Sequence, residues 1–274
     1  MPPHSTSFVA IVLAAQRAGH VDPLAAAAGI SHKCLVPIAG SPLIGHVVAA
    51  LNATPGLSRL RIVVEPAMFA AVHAELGGGP VAIEYVPAAD NLADSVFAAT
   101  QGIDRPIVVT TADNVLLTPA AVHQMVETLY RGADVAIAMS NRQSVMAAHP
   151  EGQRRFYRFT DDEYSNCNLY AFAGSKATAA AESFRSGGQF AKKPLRLVMT
   201  AGILNVILLL LHRLSLRGAL RRLSRRFRLR IEPVILADGS HAIDVDNERT
   251  YRVAALLLER RGARVEPVMQ KSVA

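Results

Sequence analysis

The apolar positions in the first half of the chain fall in short blocks, separated by polar loops and amphipathic runs. Phe8 to Ala15 is nearly all apolar and rich in β-branched side chains, as a strand buried on both faces of a parallel sheet requires. Similar blocks lie at Arg61–Glu65, Val81–Val86, Pro106–Thr111 and Asp134–Ser140. Between them, Leu43–Leu51, Pro66–Leu76, Asp90–Gln101 and Pro119–Arg131 carry helical patterning, with Pro66 and Pro119 at starts and Gly132 after an end. This alternation predicts βαβ units with right-handed crossovers. The expected fold is α/β and Rossmann-like, a mostly parallel central sheet flanked by helices.

The regularity breaks at Asn141. Residues 141–163 are polar, with Arg154, Arg155 and Arg158 beside Phe156, Tyr157 and Phe159, and are expected to form irregular loops. Leu169–Ala173 predicts a strand and Ser175–Arg185 a helix, with a break at Gly187-Gly188. The most apolar window is Leu195–Leu211. After Arg196 it runs about fifteen residues, interrupted by Asn205, against the ~20 a spanning helix needs. It predicts a buried core helix, with in-plane membrane contact as the alternative, because an arginine-rich stretch follows from Arg213 to Arg230. There Leu216, Leu220 and Leu223 recur at helical spacing. Arg230–Leu236 and His241–Val245 predict strands, and Asn247–Arg261 a closing helix. Without repeats or low-complexity linkers, one domain spanning 1–274 is expected.

Composition narrows the classes. With 51% hydrophobic and 19% charged residues the chain can bury a large core. Its two cysteines, Cys34 and Cys167, have no metal or disulfide spacing and indicate a reducing compartment. The N-terminus lacks a basic region before its apolar run, so no secretory signal is expected. Together these predict a cytoplasmic protein, with peripheral membrane contact through 195–230 as an open alternative. The net charge of +7 suits a polyanionic ligand. The arginine-rich stretch 213–230 shows no aromatic interleaving of the kind that stacks on bases, so nucleic acid is not expected as a partner.

The candidate chemistry sits at strand ends. The first strand empties into a loop carrying Arg17, Gly19 and, later, Lys33, which suggests an anion site, phosphate first of all. Asp113 follows the strand ending at Thr111, on the rim where open α/β sheets bind ligands. Asp244 and Asp246 form a second acidic group just before the closing helix; strand alternation would set both on one face. Helix or turn capping is the plain alternative for each. Taken together, two carboxylates opposite Arg17 and Lys33 would hold a Mg²⁺–triphosphate complex.

At this point the residues resemble a known family. LAAQRAG, DPLA and HKCLVPIAGSPLI look like the signature of the MobA-like nucleotidyltransferases, and AIDVDNERTYRVA is similar to the family's closing acidic motif. The resemblance implies a GT-A-type fold, with a nucleotide-binding half over about 1–140 and an acceptor-binding and closing half over 141–274. It implies transfer of a nucleotidyl group from an NTP to a phosphorylated acceptor, releasing pyrophosphate with Mg²⁺. Backbone groups of Leu13, Ala14 and Ala15 would border the nucleoside, with Gln16 where the family usually has glycine. Arg17 and Lys33 would hold the triphosphate, and Asp113 and Asp246 the metal. ADNLADSVFAAT is similar to the base-recognition segment of the cytidylyltransferases that make CDP-methylerythritol. That implies Asp90 and Ser95 facing the base, favouring CTP, with GTP possible.

For the acceptor, a sugar or alcohol phosphate, Ser165 to Asn168 reads as a polar turn before a strand, with Asn166 and Asn168 offering hydrogen bonds. Lys193, after Lys192, would meet its phosphate. Two other readings stay open. A GT-A glycosyltransferase normally carries Asp-x-Asp after a mid-chain strand, whereas here that place reads Thr111-Ala112-Asp113 and the Asp-x-Asp is at 244–246. A non-catalytic, membrane-associated nucleotide-binding protein would use residues 195–230.

Overall fold

The computed structural model describes residues 7–16, 19, 21–175, 177–178 and 213–269, with side chains to 263. In chain order the elements are β1 (Phe8–Leu13), α1 (Pro23–Ala27), β2 (Pro37–Ile38), β3 (Ser41–Pro42), α2 (Leu43–Asn52), β4 (Leu57–Val64), α3 (Phe69–Leu76), β5 (Ile83–Pro87), α4 (Leu92–Thr100), β6 (Ile107–Thr111) and α5 (Pro119–Tyr130). They continue with β7 (Val135–Asn141), α6 (Arg142–Ala148), β8 (Tyr157–Arg158), β9 (Glu163–Phe172), α7 (Leu216–Phe227), β10 (Ile231–Ile235) and α8 (Glu248–Met269).

The main sheet has the order β10-β7-β9-β6-β1-β4-β5, with β8 hairpinned onto β9. All neighbours on the path are parallel except β9, which runs antiparallel between β6 and β7. The α/β prediction holds, and the apolar blocks explain it. β1 lies between β4 and β6 with Phe8 to Val12 all buried, so it needs no polar face. From β1 the chain builds outward through β4 and β5, then returns to place β6 on β1's other side. That reversal leaves a crevice at the carboxyl ends of β1 and β6, where Leu13 and Thr111 lie in register.

Three expectations are corrected. The polar run after Asn141 contains a helix, α6, which Asn141 opens by accepting from the Ser144 amide at 2.9 Å while Val145 plugs the core. Its single buried residue left no periodic signal. Ser165 to Asn168 is not a turn but lies inside β9, alternating Ser165 and Cys167 inward with the half-buried Asn166 and Asn168. His241–Val245 is not a strand. Asp238 caps a short 3₁₀ turn at Gly239–Ala242, and the residues after it form no strand ladder; Val245 N meets the end of β6 through a single bond to the Asp113 carbonyl at 3.1 Å. Most of the helix expected over Ser175–Arg185, and the window Leu195–Leu211, lie outside the described residues.

Gly40 has a structural task. β2 and β3 are joined by Ala39 and Gly40, with φ of 46° and 84°, the backbone of a tight two-residue hairpin turn. That hairpin leads directly into α2, which buries Leu43, Ile44, Val47, Val48 and Leu51.

Candidate active site

The turn after β6 is built to aim Asp113. Asn114 is fully buried, and its side-chain amide donates to Thr110 Oγ1 and to the Cys167 carbonyl, each at 3.1 Å. With Asn114 pinned to β9, Asp113 projects over the sheet's carboxyl edge. Thr111 Oγ1 donates to Asp113 Oδ1 at 2.5 Å. Helix capping is not Asp113's role, because Thr118 caps α5 through the Ala121 amide.

Lys33 arrives from the opposite side. It begins a 3₁₀ turn over Lys33–Leu35, whose next residue, Cys34, is buried in the main core. Burying Cys34 turns Lys33 toward the crevice. Its ammonium lies 2.5 Å from Asp113 Oδ2 and 3.4 Å from Asp246 Oδ1. Burial pulls the Lys33 ammonium down, but Asp113, by charge and hydrogen bond, and then Asp246 outweigh it and raise its pKa. The lysine is therefore held charged.

Asp246 reaches this place through the Val245–Asp113 backbone contact. The start of α8 is capped by Asn247 and Thr250: Asn247 Oδ1 accepts from the Thr250 amide, and Thr250 Oγ1 accepts from the amides of Asp246 and Asn247. Asp246's carboxyl is left exposed and facing Lys33. Asp244, by contrast, is buried, and accepts from Asn168 Nδ2 at 2.6 Å through Oδ2 while Oδ1 has no hydrogen-bond partner among the described residues. Desolvation, then Asp113 and Asp246, push its carboxyl well above the usual carboxylate range. Desolvation and Asp113 raise Asp246 as well, against the pull of Lys33. The two acids thus differ in burial rather than sharing a strand face.

The first loop is tied down by two groups that sequence reading missed or misjudged. Gln16's backbone amide donates to Glu65 Oε1 at 2.9 Å, and its side-chain amide donates to the Ser31 carbonyl at 2.8 Å. Gln16 therefore clasps the two limbs of the loop. Glu65, which ends the apolar run RIVV just past β4, also lies 3.6 Å from His32 Nε2. A lone carboxylate at a strand's carboxyl end was the signal available for it. Leu13 and Ala14 sit at the mouth of the crevice, where Ala14 N bonds the Val63 carbonyl and Ala15 is exposed. Arg17 lies outside the described residues, as does Lys193.

Of the remaining candidates, Ser95 is buried and its hydroxyl accepts from the Ala89 amide at 3.0 Å, fixing the loop that carries the exposed Asp90. Asn91 caps α4. Asn166 donates to Asn168 Oδ1 at 2.9 Å and to the Tyr170 hydroxyl at 2.5 Å, so the two asparagines form a chain ending on Asp244.

Among the described residues no group of three or more His, Cys, Asp or Glu is gathered in a form that could hold a metal ion by itself. A Mg²⁺ site of one or two carboxylates completed by phosphate and water does not need one. Asp113 and Asp246 pass the test of fit: both reach a single cationic nitrogen, the span that a shared cation asks of them.

The crevice lies at the strand rim where open α/β sheets bind ligands, with a charged lysine between acids from distant segments. The MobA-like NTP transferase domain family matches residues 10–236, and the chain belongs to that family of nucleotidyltransferases. It is similar to a hypothetical transferase structure from Thermus thermophilus, with 26% identity, a TM-score of 0.72 and coverage of 89% of this chain and 99% of that one. A CMP-2-keto-3-deoxy-manno-octonic acid synthetase complexed with CTP shares the fold at 13% identity and a TM-score of 0.58, covering 93% of this chain and 99% of its own. So does a 4-diphosphocytidyl-2C-methyl-D-erythritol synthase from Anaerococcus prevotii, at 11% identity and a TM-score of 0.57, covering 92% and 96%. No curated protein matches the chain. No helix among the described residues is long and apolar enough to cross a membrane.

Proposed function

We propose that the chain transfers a nucleotidyl group from an NTP to a phosphorylated small-molecule acceptor, a sugar or alcohol phosphate, and releases pyrophosphate. The observation that carries this reading is the Lys33 ammonium between Asp113 and Asp246 at the carboxyl end of β6. CTP is favoured over GTP. The stretch from Asp90 to Ser95 supports it, as do two fold neighbours whose names carry a cytidyl product or bound CTP.

In this reading the backbone of Leu13, Ala14, Ala15 and Gln16 borders the nucleoside, while Asp90, on the loop braced by Ser95, meets the base. Lys33 and Arg17 hold the triphosphate oxygens. An acceptor phosphate oxygen attacks the α-phosphorus in line; a new P–O bond forms, the bond to the β-phosphate's bridging oxygen breaks, and pyrophosphate carries off that electron pair. Lys33, held charged, offsets the charge that grows on the transferred group and the leaving pyrophosphate. Asp113 and Asp246 would hold Mg²⁺, which when bound neutralises the triphosphate and lets an anionic nucleophile approach. Asn166, Asn168 and Lys193 would serve the acceptor. The single-domain organisation suits this division of labour, with both halves contributing an acid to one centre.

The test is a thermal-shift screen of the four NTPs with Mg²⁺, then pyrophosphate release across a panel of sugar and alcohol phosphates. Stabilisation by CTP above the other three, and release that needs both NTP and acceptor, are expected. Sugar transfer from a nucleotide sugar without pyrophosphate release would instead establish the glycosyltransferase reading.

A further inference from the structure

The strongest concentration of charge lies far from Lys33. Helix α7 contains no acidic residue, and with the start of β10 it encloses a groove of about 430 Å³ lined by Arg217, Arg221, Arg225, Arg228 and Arg230 against a single acid, Glu232. Glu232 is already engaged, 3.2 Å from Arg230 and 3.9 Å from Arg217. Arg221, Arg225 and Arg228 are exposed and have no acidic partner among the described residues.

The groove is built. Ser224 accepts at Oγ from the Ile231 amide at 3.0 Å, locking the helix to the strand, and Arg230 N is held by Asp134 Oδ2 at 2.7 Å. Arg228 ends α7 at φ +55°, where glycine is the usual residue because a Cβ is disfavoured there. An arginine kept in that conformation projects its side chain into the groove's lining, a local cost that points to use.

The apolar side of α7 is committed inward: Leu216 and Leu220 are 4% and 7% exposed, and Leu223 and Phe227 pack on the same cluster. The face that the helix turns outward is therefore made of arginines. A concave, arginine-lined groove suits bidentate recognition of phosphate groups. Its place rules out the substrate triphosphate. Ile231 pairs with Val135 at the amino ends of their strands, and the Lys33 crevice is at the carboxyl ends, about 15 Å away over a five-residue strand.

We propose that the α7–β10 groove is a second anion site that binds a ligand bearing clustered phosphate groups, independently of the nucleotide crevice. The source of those groups is a soluble polyphosphorylated molecule or a phosphorylated lipid headgroup, which share this chemistry.

The test uses the full chain and two probes, myo-inositol hexakisphosphate in solution and phosphatidylcholine vesicles with or without phosphatidylinositol 4,5-bisphosphate. The parent should bind the soluble probe, with affinity falling roughly tenfold or more as salt rises from ~0.05 to ~0.5 M. Arg221→Gln/Arg225→Gln should weaken binding at least about tenfold, and Lys33→Met should bind as the parent does. Arg228→Gly should keep or raise the melting temperature while weakening binding, which separates loss of site from loss of fold. Flotation with the bisphosphate vesicles alone assigns the phosphates to a headgroup; no flotation assigns them to a soluble molecule. Absence of binding to both probes, or binding lost in Lys33→Met and kept in the double arginine variant, would overturn the proposal.

Discussion

Asn168 donates to Asp244 across 76 residues of sequence, at 2.6 Å, from a strand position whose backbone has φ +45°. The left-handed residue lies next to the register irregularity where β9 meets β7, between Ile137 and Met139, which re-aims the side chain out of the regular pleat. It gives a buried acid its one side-chain hydrogen bond among the described residues, which offer no partner to the other oxygen.

Asp244 therefore has a pH signature. Its folded carboxyl titrates above the unfolded one, because burial and then Asp113 and Asp246 oppose ionisation. A raised acid contributes its stability below the unfolded pKa and loses it as pH rises toward the folded value. Asp244→Asn removes that loss. The melting temperature of the variant relative to the parent, measured in chelator, should increase from about pH 4 to pH 8. A difference that is flat or falls with pH contradicts this account.

Lys33→Met leaves Asp113 and Asp246 without their shared cation. In chelator the variant should be less stable by about 1–3 kcal/mol, the cost of partly buried polar groups left unpaired. Mg²⁺ should then raise its melting temperature more than it raises the parent's. Denaturant titrations with and without Mg²⁺ read both effects.

Gln16→Gly would release the clasp to the Ser31 carbonyl. Losing one hydrogen bond of about 0.5–1.5 kcal/mol that orders the loop should raise KM for the NTP several-fold and change kcat less. A variant with unchanged KM would mean that the clasp does not order the nucleotide loop.

Gly239→Ala tests how the second acidic segment is held. A Cβ at Gly239 would overlap the backbone of Ser144 and Val145 in α6, which cannot move as a flexible side chain would. Overpacking of this kind costs about 1–3 kcal/mol and should lower the melting temperature. Because the same 3₁₀ turn precedes Asp244 and Asp246, Mg²⁺ stabilisation should weaken in parallel.

The fold was legible where burial is continuous: β1, β6 and β7 are apolar because both faces are covered, and the helices between them carry caps and periodicity. What stayed hidden depends on contacts across the chain. α6 shows one buried residue, and β9 mixes asparagines into a strand because they bond one another and Asp244. The segment 241–245 alternates like a strand yet pairs with no strand among the described residues. Lys33, Asp113 and Asp246, which the structure brings together, were candidates from the strand-end pattern and the family signature. Glu65 and Thr111 were not, since their roles arise from where β4 and β6 end beside the loop. Neither periodicity nor spacing could tell that Asp244 is buried and Asp246 exposed; the capping by Asn247 and Thr250 decides it.

The central claim is that Lys33, Asp113 and Asp246 form the nucleotidyl-transfer centre. Pyrophosphate release from CTP and a phosphorylated acceptor, compared between the parent and Asp113→Asn, tests it most directly. The account predicts a fall on the order of 10²- to 10³-fold, the scale for removing one group that stabilises charge in the transition state, with a stability loss no larger than the about 1–3 kcal/mol expected for breaking the same pair from the Lys33 side. Parental pyrophosphate release by Asp113→Asn in Mg²⁺ would contradict it.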